Sequence, residues 1–328
     1  MNRRKFLKKS VLFGSAFWLP RLLPASESIP QDGKSKVVIA RDRQVFKNGR
    51  VNGDRVLALL DEAMQAYFNV DVPLRAWRKI VHPGEVIGIK VNCLSGRGST
   101  HRELAEAVVE RLLQAGIRAN DIIIWDRLNK DLEEAGFHIN INGKGPRVFG
   151  NDAVGFAPEL YVFGQAGSLL TRTLTNLCDG VINIGLLRDH SIAGVSISLK
   201  NLFGAIHNPN KYHLNAGDPY IADVNAFLPI RRKVRFTIVD ALEAQYHGGP
   251  AYMPPWRWKF NGLIIGQDRV AIDYTGWQII ETKRKEAGMK SLKEEGREPT
   301  YIFTASDKKH GLGYSNPEWI ETIHIRSG

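Results

Sequence analysis

The chain of 328 residues contains only two cysteines, Cys93 and Cys178. A thiolate metal centre or an iron–sulfur cluster needs several cysteines held close together, so we expect no iron–sulfur cluster here. Two alternatives remain for the pair, one disulfide in an oxidising compartment or two buried free thiols, and the second is favoured. The sequence also shows no internal repeat and no low-complexity linker.

Long apolar runs are also lacking, because no stretch reaches the roughly 20 apolar residues that a membrane-spanning helix needs. Residues 1–28 instead resemble a twin-arginine signal peptide, with a basic segment that contains Arg3 and Arg4, a short apolar segment and small residues around Ala25. This pattern predicts export by the twin-arginine translocase, with no stable membrane span after cleavage. Cleavage after Ala25 and cleavage near Ser28 both remain open.

The chain without its predicted signal peptide lacks a strong net positive charge. The formal net charge is +11, and removing the six positive charges before residue 26 leaves about +5. The remaining basic clusters, 231–233 and 283–285, are short and are not interleaved with aromatic residues, which argues against nucleic acid as a partner. A mild attraction to a small anionic substrate or ligand is expected.

Strand and helix patterns alternate along the rest of the chain, of which 43% is hydrophobic. This alternation predicts a single large α/β domain over 29–328, with a mostly parallel sheet covered by helices on both faces. The predicted strands are 36–41, 85–92, 121–126, 179–187, 234–241, 263–266 and an edge strand 320–325. The predicted helices are 54–67, 101–115 with a capping box of Thr100 and Glu103, 220–227, and one capped by Asp268 that ends at 287; 137–167 is predicted to be irregular.

A glycine-containing loop, 92–100, leaves one predicted strand and enters the next helix. Ligands of open α/β sheets bind at such strand ends, and a free helix N-terminus favours anions. Lys90 and Asn92 share a face of the strand, and Arg97 lies in the loop, so we expect these three residues to hold substrate or cofactor oxygens. The loop matches no phosphate-binding motif, so a simple chain turn is the alternative.

The second candidate site is the segment 189–213, which places a lysine among apolar residues. A helix over 195–206 fits more residues than a strand does, and either structure places Lys200 among small polar groups. A solvated lysine on an amphipathic helix is the alternative. Because histidines surround Lys200, we predict catalytic roles for His190 and Lys200.

Four further residues complete the predicted site. Asn201 follows Lys200 directly, and Asp240 lies near the carboxyl end of another predicted strand, so we expect both to bind a cofactor or substrate. His207 and His213 are the candidate metal ligands or second bases.

These motifs resemble the family of the domain of unknown function 362. The resemblance rests on Ile89-Lys90-Val91-Asn92, Asp179-Gly180-Val181-Ile182-Asn183, Arg188-Asp189-His190, Leu199-Lys200-Asn201-Leu202-Phe203-Gly204, Asp240-Ala241 and Gly248-Gly249-Pro250. It covers nearly the whole mature chain and is closest to exported twin-arginine members. The family often has Lys-Thr-His where this chain has Arg188-Asp189-His190, and it implies no specific reaction.

A shorter stretch, from His190 to Lys200, is similar to the segment of nickel-pincer lactate racemases that carries the cofactor-bearing lysine. That resemblance implies a lysine-tethered organometallic cofactor or a metal ion, with histidines as acid and base. Two hypotheses follow from the sequence. One is an exported enzyme, with racemase, isomerase or redox chemistry, acting on a small anionic substrate; the other is a non-catalytic periplasmic protein that binds an anion or a metal.

Export can be tested by changing both Arg3 and Arg4 to Lys. The translocase recognises the arginine pair, so the double variant is expected to remain in the cytoplasm as precursor. Cell fractionation with immunoblotting measures this, and Lys8→Arg serves as the matched control. Normal export of the double variant would contradict the prediction.

Overall fold

The computed structural model describes residues 33–328, and the predicted signal peptide lies outside them. The strands are β1 Ser35–Asp42, β2 Phe46–Lys47, β3 Arg50–Val51, β4 Ile87–Lys90, β5 Ile122–Asp126, β6 Arg147–Gly150, β7 Tyr161–Phe163, β8 Ala166–Ser168, β9 Gly180–His190, β10 Gly194–Val195, β11 Val234–Gln245, β12 Arg257–Trp258, β13 Gly262–Gly266 and β14 Ile320–Ser327. The helices are α1 Gly53–Phe68, α2 Pro73–Trp77, α3 Arg102–Gln114, α4 Asn129–Glu134, α5 Asn151–Val154, α6 Tyr220–Asn225, α7 Leu228–Lys233, α8 Arg269–Glu286 and α9 Tyr301–Ser306.

One large sheet, with the strand order β14-β1-β13-β11-β9-β4-β5-β6, organises these elements. Its neighbours pair in parallel except at β13, which is antiparallel to both β1 and β11. The short strands β10 and β12 pair with β9 and β11. The predicted α/β class with a mostly parallel sheet is confirmed.

Helices cover both faces of the sheet because its strands are apolar on both sides. In β5, Ile122 and Ile124 pack with α1 and α3 on one face, while Ile123 and Trp125 pack on the opposite face in the core that α6 to α9 cover. Both cysteines are buried free thiols, Cys93 in the first core and Cys178 in the second. No helix within residues 33–328 is long and apolar enough to cross a bilayer.

The predicted helix over 195–206 is wrong. The structure has β10, then an irregular stretch, then a 3-10 helix over Lys200–Ala205. The helical spacing was misleading because the segment is buried on nearly every side, polar Ser196, Ser198 and Lys200 included. The backbone N–H groups of Ser198 and Leu199 donate to the Asp273 carboxylate of α8 instead of to a helical carbonyl.

Two smaller predictions need correction. The predicted capping box at α3 is absent: the Thr100 hydroxyl accepts a hydrogen bond from the Asn92 N–H, and the His101 N–H donates to Asp240. The stretch 137–167, predicted to be irregular, holds the short elements β6, α5 and β7 and the start of β8. Asp268, by contrast, caps α8 as predicted, by accepting from the N–H groups of Val270 and Ala271.

The Asp273 carboxylate stabilises this fold, and its contribution to the free energy of unfolding can be measured. Asp273→Ala leaves two buried backbone N–H groups without an acceptor, which destabilises the protein by about 2–4 kcal/mol, whereas Asp273→Asn keeps an acceptor oxygen and loses less. Urea unfolding measures both variants. Equal losses in the two variants would contradict this role.

Candidate functional site

The carboxyl ends of three neighbouring parallel strands form the floor of the site. The strands β5, β4 and β9 lie side by side in parallel, so Asp126, Lys90 and Arg188 reach the same edge of the sheet. Ligands of open α/β sheets bind beyond this edge.

Lys90 lies in the floor with its charge neutralised. Its ammonium is 2.7 Å from the Asp126 carboxylate and donates to the Val91 carbonyl and, at 3.2 Å, to the Asn201 side chain. Gly204 faces this ammonium, and a Cβ there would lie 2.7 Å from Lys90 Cε. A glycine at 204 therefore lets the backbone of the 3-10 helix approach the buried ion pair.

The Asn201 carboxamide joins the 3-10 helix to the strand ends. Its oxygen accepts from Lys90 and, at 3.0 Å, from Asn92, while its Nδ2 donates to the Asn183 side chain at 2.7 Å and to the Ile184 carbonyl at 3.0 Å. All of these groups are nearly or wholly buried. Asn201 thereby fixes the position of its neighbour Lys200 relative to β4 and β9.

Arg188 supplies a second buried cation to the site. Its guanidinium donates to the Asn92 side chain at 3.1 Å, to the Pro250 carbonyl at 3.0 Å and to the Ser95 hydroxyl. Within residues 33–328 these acceptors are all neutral, and the buried Nε has no partner. Burial lowers the pKa of Arg188 to about 10, although the neighbouring Asp189 charge opposes that shift.

The 248–250 loop closes over Arg188. The Gly249 N–H donates to the Asp189 carboxylate at 2.9 Å, and the Gly249 carbonyl accepts from the Ser191 N–H at 2.7 Å. The Asp189 carboxylate also lies 3.6 Å from the Arg297 guanidinium. The Asp189 carboxylate therefore interacts with both this loop and Arg297.

Lys200 has a histidine as its partner where Lys90 has a carboxylate. Its Nζ lies 3.1 Å from His213 Nε2 and 5.2 Å from the centre of the Phe203 ring, and the residue is 8% exposed. Burial, with a smaller contribution from the Arg188 charge, lowers the pKa of Lys200 to about 7. Near neutral pH a large share of Lys200 is therefore the uncharged amine.

His190 and His213 stack beside this amine, with ring centres 5.6 Å apart. His190 Nδ1 accepts from the N–H groups of Ile192 and Ala193, which places the ring proton on Nε2. Burial, then the charges of Lys200, His213 and Arg188, lower the pKa of His190 to about 2, so its ring stays neutral. His213 also has a lowered pKa, because of burial and the Lys200 charge.

Three other predicted site residues contact different groups. The Asp240 carboxylate accepts from the backbone and the ring of His101, so it holds the start of α3. Burial opposes both shifts, but the charge and hydrogen bonds of His101 lower the pKa of Asp240, and those of Asp240 raise the pKa of His101, so the two groups form an ion pair. Arg97 is exposed at the rim, and exposed His207 packs edge-on against Phe156. Ligand-binding roles for Asp240 and Arg97 stay predictions.

The predicted metal ligands do not fit a metal centre. Across residues 33–328, no group of three His, Cys, Asp or Glu side chains is arranged to hold a metal ion. His213 directs its Nε2 at Lys200, while His207 packs on Phe156. His207 and His213 therefore do not converge on a shared metal site.

Sequence reasoning did not find Asp126, Asn183 or Ser95 and left Arg188 without a role. Asp126 and Asn183 had one usable signal, because each is a polar residue within an otherwise apolar strand. The role of Arg188 depends on Ser95 and Pro250, which are distant in the sequence and meet only in the fold.

Comparison with known proteins identifies a family and a distant structural neighbour. Residues 87–278 match the profile of the domain of unknown function DUF362, which is more than half of the chain. A crystal structure of a Thermotoga maritima protein, from the Northeast Structural Genomics Consortium, is similar at a TM-score of 0.41 with 12% sequence identity. The similarity covers 73% of this chain and 60% of the length of that protein. A search of curated proteins found no match.

The lowered pKa of Lys200 predicts how stability changes with pH. Between pH 7 and 10.5 the unfolded chain binds more protons at Lys200 than the folded chain does, so this lysine destabilises the fold most below pH 7 and least above 10.5. Lys200→Met is therefore expected to be more stable than the wild type at pH 6.5, by about 1–4 kcal/mol, and the difference shrinks towards pH 10. Urea unfolding at several pH values measures it, with Lys285→Met, at an exposed position, as control. A difference that does not change with pH would contradict the prediction.

Proposed function

The chain belongs to the DUF362 family, and we propose that it is an exported enzyme that acts on a small anionic substrate bound between Arg188 and Lys200. The observation that carries the proposal is the presence of two buried basic side chains, the Arg188 guanidinium and the Lys200 amine, whose hydrogen-bond partners are neutral. Removing a charge from water is costly unless an opposite charge compensates it. A bound anion would supply that compensation.

The contrast with Lys90 supports this interpretation. Lys90 is buried at the same edge of the sheet, but Asp126 neutralises it, so it needs no ligand. Lys200 differs by having a neutral imidazole as its partner. A substrate carboxylate or phosphate beside Arg188 would compensate the positive charge on this side of the site, as Asp126 compensates the charge of Lys90.

An enzyme is favoured over a binding protein because proton-transfer groups surround the amine. An uncharged lysine is a nucleophile and a base, and His213 can accept its proton at 3.1 Å. Neutral His190 carries its ring proton on Nε2 and can donate a hydrogen bond from it to a substrate oxygen. A site that only bound an anion would gain from keeping Lys200 charged, which its burial opposes.

A non-catalytic periplasmic anion-binding protein is the second candidate. It is favoured by Arg188, whose guanidinium is fixed in place by Asn92 and Ser95 and can bind an anion without proton transfer. Export in either case rests on the arginine pair near the start of the chain, and the twin-arginine route carries folded proteins.

Anion binding can be tested by thermal unfolding in phosphate, sulfate, acetate and lactate. Binding of at least one anion at 100 times its Kd raises the stability of the wild type by about 2.7 kcal/mol, which shows as a higher Tm. Lys200→Ala is expected to remain folded and to lose this shift, because half of the cationic pair is gone, and Lys285→Ala is expected to keep it. The proposal fails if no anion shifts the Tm of the wild type or if Lys200→Ala keeps the full shift.

Acetate and lactate, the two carboxylic acids among these anions, distinguish the enzyme from the binding protein. An enzyme with a lysine base is expected to exchange carbon-bound protons of a bound carboxylic acid for deuterium in D₂O, as measured by NMR, and Lys200→Arg is expected to lose this exchange because a guanidinium stays charged. Tight binding without exchange in any of the acids would favour the binding protein.

A further inference from the structure

We infer that Lys200 forms a covalent imine with a small carbonyl compound that also carries a carboxylate or phosphate group. The inference rests on the proposed function, because the anionic group is held by the Arg188 side of that site. It adds the reacting bond and the class of substrate, an anionic aldehyde or ketone.

The first support is the directed contact between Lys200 and His213. His213 Nδ1 lies 3.3 Å from the Asn210 carbonyl, so Nδ1 carries the ring proton and Nε2 presents a lone pair to Lys200 Nζ. Imidazole in this tautomer accepts a proton from the amine. The Lys200 nitrogen is therefore held beside the base that can make it a nucleophile.

The second support is the difference between the two buried lysines of the site. The Asp126 carboxylate stabilises the ammonium form of Lys90, and Lys90 also donates to two oxygens, so its nitrogen has no open direction for attack. In the described part of the chain, Lys200 Nζ has the His213 nitrogen as its hydrogen-bond partner. The lowered pKa of Lys200 agrees with this geometry.

The reaction balances without an oxidant or a reductant. The lone pair of the Lys200 amine attacks the carbonyl carbon, and the π electrons move to the oxygen, which accepts a hydrogen bond from the Nε2–H of neutral His190. His213 Nε2 takes one proton from the attacking nitrogen and passes it to that oxygen, which gives a neutral carbinolamine and restores neutral His213. The second proton of the nitrogen follows the same path to the hydroxyl, which leaves as water while the C=N bond forms.

The charge in the site favours an anionic carbonyl compound over a neutral one. The Arg188 guanidinium is close enough for its charge to act on Lys200, and its hydrogen bonds leave Nε unpartnered among residues 33–328. A carboxylate or phosphate next to the carbonyl group would lie by Arg188 while the carbonyl carbon lies by Lys200. A neutral aldehyde lacks that attraction.

Reductive trapping tests the inference. The full protein is incubated at pH 7 with glyoxylate, glycolaldehyde phosphate or neutral glycolaldehyde, each with sodium cyanoborohydride, and peptide mass mapping then identifies the modified lysines. The two anionic compounds are expected to label Lys200 at least about tenfold faster than exposed Lys285, because a large share of Lys200 is the uncharged amine at this pH, whereas the ordinary lysine pKa of about 10.4 leaves little free amine. Neutral glycolaldehyde is expected to label Lys200 more slowly than either anionic compound.

The pH profile and the variants complete the test. Labelling of Lys200 is expected to rise up to about pH 7 and then level off, whereas labelling of a free lysine derivative, with its ordinary pKa of about 10.4, continues to rise towards pH 10. Lys200→Ala loses the fast label, and Lys285→Ala keeps it. Labelling of Lys200 no faster than that of Lys285 would overturn the imine; if phosphate, sulfate, acetate or lactate still raises the Tm, the proposed function survives that result. No fast label and no Tm shift together would overturn both.

Discussion

The Asn201 carboxamide is the interaction on which the arrangement of the site depends. It accepts from groups at the end of β4 and donates to groups of β9, so it connects two parallel strands with the segment that follows β10. Both polar atoms of the carboxamide are paired inside the protein, which makes the contact directional as well as strong. An aspartate at this position could not donate to Asn183 or Ile184, and a leucine would remove both the acceptor that Lys90 and Asn92 share and the donor to Asn183.

The two buried lysines at this edge of the sheet, Lys90 and Lys200, have opposite electrostatic environments. Around Lys90 the chain supplies a carboxylate, carbonyl oxygens and close backbone contact through Gly204. Around Lys200 it supplies an aromatic ring and two imidazoles. The first environment stabilises charge and the second disfavours it, and this contrast supports the proposal that Lys200, rather than Lys90, is the reactive lysine.

The sequence predicted the regular elements well where a local signal was strong. The helix α8 follows its Asp268 cap, and β5 follows its continuous apolar run. The site was predicted in part, since Lys90, Asn92 and Asn201 do meet in one hydrogen-bonded network. The order of strands in the sheet has no local signal, and that order is what brings Asp126 next to Lys90.

The failed helix prediction over 195–206 has a different cause. Hydrophobic periodicity reports which side of an element faces water, and a segment buried on all sides has no such side. Side-chain acceptors such as Asp273 then decide the backbone path, and these lie 70 or more residues away in the sequence.

The hydrogen bonds that join Arg188 to Pro250 and Ser191 to Gly249 have a kinetic consequence. They hold the 248–250 loop over a guanidinium that is 3% exposed, next to an amine that is 8% exposed. Because both groups are nearly buried, opening of this loop, rather than diffusion, would set how fast a ligand reaches the guanidinium. A loop that had to open for entry would also slow escape and so favour long-lived complexes.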